Sequence, residues 1–431
     1  MPGRSLAEWL DYIERIHPKS IQLGLERVAE VRDALGKSTK AAVFTVAGTN
    51  GKGSTCAILE AILLAAGYKV GLYTSPHLLR YNERVRLGGI PADDDRLCAA
   101  FEEVERARGK VPLTYFEFGT LAAWEIFTSR ALDAVILEVG LGGRLDAVNA
   151  FDADCAVLTT VDLDHMDYLG HTREAIGREK SGIFRAGRPA LVADPDPPRS
   201  VLDRAAEIGA DLQLIGRDFG FVQQGQQWMV WGRDGRRGGL AHPALRGTRQ
   251  LANAAAAIAA LGALRLRLPV GMQDVRTGLA RVELPGRFQV LPGRPTVVLD
   301  VAHNPQAARV LADNLGEMGF FPETHAVFGM LGDKDIAGVC GALRKTFSSW
   351  SIADLAVPRG ATADALARAL ADSGAEGQVL RFGNPRDAYA AARKRASEND
   401  RIVVFGSFHT VADVMQGIEA AQADCQTTST C

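Results

Sequence analysis

Short, continuously apolar runs alternate with helical patterns from residue 42 onward, and that alternation narrows the folds open to this chain more than any other feature. Ala42–Ala47, Tyr68–Thr74, Asp133–Val139 and Cys155–Val161 read as strands, with Gly53–Ala66, Phe118–Arg130 and Thr172–Phe184 as helices. Strands that are apolar on both faces need cover on both faces, which a parallel sheet flanked by helices supplies. The pattern changes at Phe219–Gly239, rich in Gly, Gln and Trp, which reads as a small antiparallel ribbon. Helices at Thr248–Leu266 and Met272–Val282 follow. The stretch Leu284–Pro295 carries Pro-Gly-Arg twice and reads as a linker over 285–295. Alternation then restarts, with strands at Thr296–Val301, Thr324–Phe328, Ser349–Leu355 and Arg401–Phe405. The expectation is an α/β protein with a larger domain over 1–284, mostly parallel in its sheet, and a smaller Rossmann-like α/β domain over 296–431. The polar tail Asp424–Cys431 is expected to fray.

A net charge of −2 gives no global field that would select nucleic acid or a membrane surface. Local groups must therefore meet any anionic ligand. The longest apolar stretch, Ala254–Leu264, is too short to span a bilayer, and Met1–Leu10 lacks the pattern of a secretory signal. The six cysteines are scattered without a CxxC pair, which points away from a zinc site or a disulfide framework and toward a reduced, cytoplasmic setting.

The strongest local signal is Thr45-Val-Ala-Gly-Thr-Asn-Gly-Lys-Gly-Ser-Thr55, which follows a strand and opens a helix. Gly48, Gly51 and Gly53 let backbone N–H groups approach an anion, with Thr49 and Asn50 between them. Lys52 reaches toward terminal phosphate oxygens, and the helix N-terminus adds partial positive charge. Ser54 or Thr55 offers a hydroxyl to a magnesium ion. The match to GxxxxGK followed by Ser or Thr is imperfect: Val46 stands where the first glycine belongs, and Gly53 separates Lys52 from Ser54. A plain glycine-rich strand-to-helix turn is the bland alternative, and it leaves the lysine among the glycines unexplained.

Read as Ala-Gly-Thr-Asn-Gly-Lys-Gly-Ser, this loop resembles that of the folylpolyglutamate synthase family within the Mur ligase superfamily. Further segments resemble the family in order along nearly the whole chain. They are Thr74-Ser-Pro-His-Leu78 with Arg80 and Asn82-Glu83-Arg84, then Leu137-Glu-Val-Gly-Leu-Gly-Gly-Arg-Leu-Asp-Ala147. Asp164-His165, Leu169-Gly170, Ile176-Gly-Arg-Glu-Lys180-Ser-Gly-Ile-Phe184 and Asp300-Val-Ala-His-Asn-Pro305 continue the series. The resemblance implies a central P-loop ATPase domain and a Rossmann-like C-terminal domain, with the active site in the cleft between them.

It also implies roles. Ser75, Glu138 and His165 resemble magnesium ligands; Glu138 ends an apolar strand, at the sheet edge where open α/β sheets bind ligands. Histidine is the less usual ligand for magnesium, and taken alone His165 reads equally well as a loop residue bonded to Asp162, Asp164 or Asp167. Lys180 alone reads as a solvated helix lysine, but the family's equivalent is carbamylated by CO2, turning a cation into a carboxylate for a second metal. Asn253, Arg287 and Asp300 resemble nucleotide contacts. His303 is placed at hinge closure or near the incoming amine, with a helix-cap histidine as the plainer reading; His77 receives no firm role. For a pterin-bearing substrate the resemblance points to Leu23, Gly24, Leu25 and Arg27, to Thr114, Tyr115, Phe116 and Glu117, and to Leu145, Asp146 and Ala147. Phe116 suits stacking on a flat heterocycle, while Tyr115 and Phe116 as core residues is the alternative.

The activity implied is ADP-forming ligation of L-glutamate to dihydropteroate and to the γ-carboxylate of reduced folates. ATP and two Mg2+ sites are implied; the metal count and any monovalent cation stay open, and family members are commonly monomeric. A tail-extending enzyme with only the second activity is the close alternative. A cell-wall Mur ligase would need an N-terminal nucleotide-sugar domain, for which a phosphate loop at residue 48 leaves no room. A P-loop nucleotide switch would not call for the second domain opening at Asp300-Val-Ala-His, and an inactive scaffold would not need Lys52, Glu138, His165 and Lys180 together.

Overall fold

The computed structural model describes residues 3–19, 21–225 and 227–428, with side chains through residue 421. It divides into two compact units. One holds the residues up to Ala244 together with Gln250–Glu283; the other holds Leu245–Arg249 and the residues from Leu284 on.

The first unit is built on an eight-stranded sheet in the order β4-β3-β2-β5-β1-β6-β7-β8. Its strands are β1 (Ala42–Ala47), β2 (Val70–Tyr73), β3 (Val85–Leu87), β4 (Ile90–Pro91), β5 (Ala134–Glu138), β6 (Cys155–Leu158), β7 (Pro189–Val192) and β8 (Asp211–Leu214). The strands from β2 to β8 across the order run parallel, while β3 and β4 add an antiparallel edge. Every residue of β1 and β5 is buried, as expected for strands covered on both faces. Because β2, β5, β1 and β6 are neighbours and parallel, the segments that leave their C-terminal ends emerge side by side. Those segments carry Ser75, Glu138, the glycine loop and His165. A ribbon of β9 (Gly220–Gln224), β10 (Gln227–Gly232) and β11 (Gly235–Ala241) follows where an antiparallel ribbon is expected.

Two helices set the position of the glycine loop. Lys52–Ala65 starts at Gly51, whose φ of 89° belongs to the left-handed region that favours glycine, and it has no side-chain cap. Met272–Arg281 crosses it so closely that a Cβ on Gly278 would lie 2.6 Å from the Cα of Ile62.

The second unit has a six-stranded sheet in the order β12-β13-β17-β14-β15-β16. The strands are β12 (Gln289–Leu291), β13 (Thr296–Asp300), β14 (Thr324–Phe328), β15 (Ser349–Ala353), β16 (Gln378–Phe382) and β17 (Arg401–Phe405). All pairs are parallel except β12 with β13. The core packs Phe328, Phe347, Trp350 and Phe405, with the Phe347 and Phe405 rings stacked at 5.3 Å.

Three differences from the sequence reading have physical causes. The stretch 285–295 is not a bare linker: β12 lies inside it and pairs with β13. Leu245–Arg249 belongs with the second unit, because the amide of Thr248 donates to Asn314 Oδ1 at 2.9 Å and Gly247 sits against the same side chain. The helix Phe408–Thr428 runs through the start of the tail expected to fray; residues 429–431 lie outside the described residues. Among the described residues, no helix is long and apolar enough to cross a membrane.

Candidate active site

The glycine loop is stitched to the segment that follows β6. Thr49 N donates to Thr160 O at 2.6 Å, and Thr159 Oγ1 donates to Asn50 O at 2.7 Å. Gly48 has no room for a side chain there: a Cβ would lie 1.8 Å from Thr159 Oγ1. Gly51 faces Asn253 in the helix Gln250–Ala263, where a Cβ would lie 2.7 Å from Asn253 Oδ1. Asn253 is held by a 3.0 Å bond from its Nδ2 to Gln250 Oε1, and Gln250 Nε2 reaches Ser54 Oγ at 3.4 Å. The Thr55 hydroxyl is buried with no hydrogen-bond partner in the structure.

Lys52 and Lys180 converge on one atom. Lys52 Nζ donates to Gly48 O at 3.0 Å and to Thr49 O at 3.3 Å, and Lys180 Nζ donates to Gly48 O at 3.1 Å. Lys180 is only 5% exposed, so it is not the solvated helix lysine that its sequence context alone suggested. Its backbone sits on Gly143, where a Cβ would be 2.8 Å from Lys180 O. The central signature thus carries the glycine that lets Lys180 approach the phosphate loop.

Ser75 and Glu138 are also adjacent, with Ser75 N donating to Glu138 Oε2 at 3.1 Å. Glu138 is buried at the end of β5. Oxygen donors of this kind suit a hard cation. His165 has φ of 51°, and its Nε2 lies 3.9 Å from Asp164 Oδ2, too far for a hydrogen bond. Among the described residues, no three His, Cys, Asp or Glu side chains group to hold a metal. The candidate set has two of those types, so substrate phosphates and waters would have to complete the shell, as they commonly do for magnesium.

The pterin-pocket candidates form a second cluster. Arg27 Nη2 donates to Glu117 Oε1 at 2.7 Å, and Thr114 N donates to Glu117 Oε2 at 2.7 Å. Thr114 and Glu117 form a capping box at the start of the helix Tyr115–Thr128. Gly24 N donates to Leu145 O at 3.4 Å, bringing the Leu23–Leu25 segment to the Leu145–Ala147 turn. Phe116 packs on Gly140 and Tyr115 on Tyr81, both half-buried rather than wholly core. Asp146 accepts from Leu141 N at 2.8 Å and Val148 N at 3.0 Å. Burial raises its carboxyl to about 6, against the pull of those backbone N–H groups and the Lys52 charge. In this structure Asp146 holds its own turn. His77 accepts from Arg84 Nε at Nδ1, 2.8 Å away.

Arg287, Asp300 and His303 belong to the second unit. Asp300 accepts from Phe288 N at 2.9 Å and Ala302 N at 2.8 Å. Burial raises it to about 6, opposed first by the Arg287 charge. Arg287 also lies 5.3 Å over the Phe408 ring. His303 Nδ1 is 2.8 Å from Val301 O, so Nδ1 carries a proton and donates. The cap of the following helix is Asn304, not His303.

Residues 46–261 match the Mur ligase middle domain and residues 286–408 the Mur ligase glutamate ligase domain. An Escherichia coli protein named dihydrofolate synthase/folylpolyglutamate synthase is 48% identical over 419 residues, 97% of this chain and 96% of that one. This chain belongs to the dihydrofolate synthase/folylpolyglutamate synthase family of Mur ligases. Among solved structures of the family, E. coli FolC in complex with DHPP and ADP is similar with a TM-score of 0.93 and 47% identity, covering 98% of this chain and 100% of that one. A bifunctional folylpolyglutamate synthase/dihydrofolate synthase with Mn, AMPPNP and L-glutamate bound is similar with a TM-score of 0.89 and 46% identity, covering 96% and 98%. What the family resemblance did not point to is the bracing behind the glycine loop by Thr159, Thr160, Asp162 and Gln250. Their partners lie far away in sequence, as with Thr49 and Asp162, 113 residues apart, so no local spacing marks them.

Proposed function

We infer that this chain is an ADP-forming ligase that joins L-glutamate to dihydropteroate and extends the γ-glutamyl tail of reduced folates. The near-full-length match to an enzyme of that name carries the reading. A carboxylate is a poor acyl donor. Transfer of the γ-phosphoryl group from ATP to a carboxylate oxygen gives an acyl phosphate and ADP. The glutamate amine then attacks the acyl carbon, the C–O bond to phosphate breaks, and phosphate leaves as the amide forms. Such a reaction is catalysed chiefly by positioning and by stabilising charge. Lys52 and the uncapped start of the helix Lys52–Ala65 meet the phosphates. Ser75, Glu138 and His165 would hold Mg2+, which neutralises phosphate charge when bound. Lys180 would first lose one proton to give the neutral amine, whose nitrogen would bond to CO2 with loss of a second proton, and the resulting carbamate would present a carboxylate to a second ion. Asn253, Arg287 and Asp300 would contact nucleotide, with His303 near the amine. The segments of Arg27, Phe116 and Asp146 would face the pterin. The working form would be a cytoplasmic monomer.

Labelling the substrate carboxylate with 18O tests the acyl phosphate. One label per turnover should appear in the released phosphate. Phosphate free of label would exclude the intermediate.

A further inference from the structure

We propose that Arg173 and Asp194 are positioning residues that aim the His165 loop at the phosphate loop, a role that rests on reading His165 as a metal ligand. After β6 the chain runs along the phosphate loop toward His165. Two consecutive residues on the way have both backbone groups held by side chains. Val161 N donates to Asp194 Oδ2 at 2.8 Å, and Val161 O accepts from Arg173 Nε at 3.0 Å. Asp162 N donates to Thr49 Oγ1 at 3.0 Å, and the same hydroxyl donates to Asp162 O at 3.1 Å. Peptide groups leaving a sheet edge are ordinarily satisfied by water or by a neighbouring strand. Here three separate segments fix the chain just before His165.

The clamp is itself braced. Arg173 Nη2 donates to Asp196 O at 2.6 Å, and Asp194 Oδ1 accepts from Asp196 N at 3.0 Å. Val161 is 1% exposed and Asp194 6%. Arg173 opens the helix Arg173–Lys180, and Lys180 closes it. One short helix therefore touches both loops: Arg173 reaches Val161 O behind the His165 loop, and Lys180 reaches Gly48 O in the phosphate loop. Arg173 and Asp194 act through the backbone they hold.

The test titrates AMPPNP into wild type, Arg173→Met and Asp194→Asn by calorimetry, with Mn2+ and with EDTA, alongside kcat, KM and thermal unfolding. Partners behind metal ligands are worth roughly 10- to 100-fold in metal affinity or activity. Arg173→Met should lose at least about tenfold of the Mn2+-dependent gain in AMPPNP affinity. Its kcat should fall in step, while the KM for pterin substrate and the affinity in EDTA stay within about twofold. Asp194→Asn has one oxygen for two backbone donors, Val161 N and Asp196 N, and should lose part of the gain; an unchanged gain there overturns the role of Asp194. If Arg173→Met does not fold, Arg173→Lys is read the same way, since one ammonium cannot span Val161 O and Asp196 O. An unchanged Mn2+ gain in the arginine variant overturns the proposal. So does an equal loss of affinity with and without metal, which would mark a structural defect. Failure of the ligase reading is seen separately, as wild type that releases no pterin-dependent ADP.

Discussion

Lys52 and Lys180 donate to the same carbonyl oxygen, yet they should fail differently when removed. Lys52→Ala keeps the glycine loop and its N–H groups, so the variant should unfold at the wild-type temperature while kcat falls by at least about 10²-fold. Wild-type rates would remove the phosphate-loop role. Lys180→Ala should also lose activity, and millimolar acetate or formate should restore part of it by supplying the missing carboxylate. Full activity without additive would contradict a carbamate. Asp146 makes a prediction about pH. Burial raises its carboxyl from 3.8 to about 6. A folded-state pKa above the unfolded one contributes stability that is complete below about pH 4 and is lost as pH rises through about 6. Asp146→Asn has no such titration. Chemical unfolding should therefore show the variant gaining on wild type between about pH 4 and pH 6. A difference that is flat across that window would mean the carboxyl is not shifted.

At the scale of elements, the apolar runs of β1, β5 and β17 were legible in the sequence because burial on both faces favours apolar residues, with the charged Glu138 and Arg401 only at strand ends. Their residues also sit where the sequence reading placed them, within a residue or two at the ends. β12 was hidden because prolines and glycines surround its three residues and outweigh its pattern. The order of the sheet was not legible either, since strands far apart in sequence become neighbours. That order is what puts Ser75 beside Glu138. Helix crossings are equally silent in sequence: Gly278 looks like an ordinary helix glycine until its contact with Ile62 is seen. Gly278→Val should push Met272–Arg281 off the phosphate-loop helix and cost about 1–3 kcal/mol in denaturant unfolding. Gly36, a helix C-cap with open space around it but a φ of 63°, is the comparison. Gly36→Ala should cost less than Gly278→Val, about 1 kcal/mol. Equal costs would mean that the helix crossing is not what Gly278 serves.

The molecule divides into two α/β units, each with its own core; Lys52, Glu138 and Lys180 lie in the first, and Arg287, Asp300 and His303 in the second. The roles of individual residues came from the resemblance to the family, whereas the glycine loop was legible as a candidate phosphate site from its own chemistry. A nucleotide switch and a ligase share that loop, and what separates them is whether turnover waits for a carboxylate and an amine. The decisive measurement is ADP release by the purified protein with Mg-ATP and L-glutamate, with dihydropteroate or tetrahydrofolate added in turn. Release is expected with either pterin and almost none without one. Release with tetrahydrofolate alone would contradict dihydrofolate synthesis, and equal release without any pterin would contradict the ligase itself.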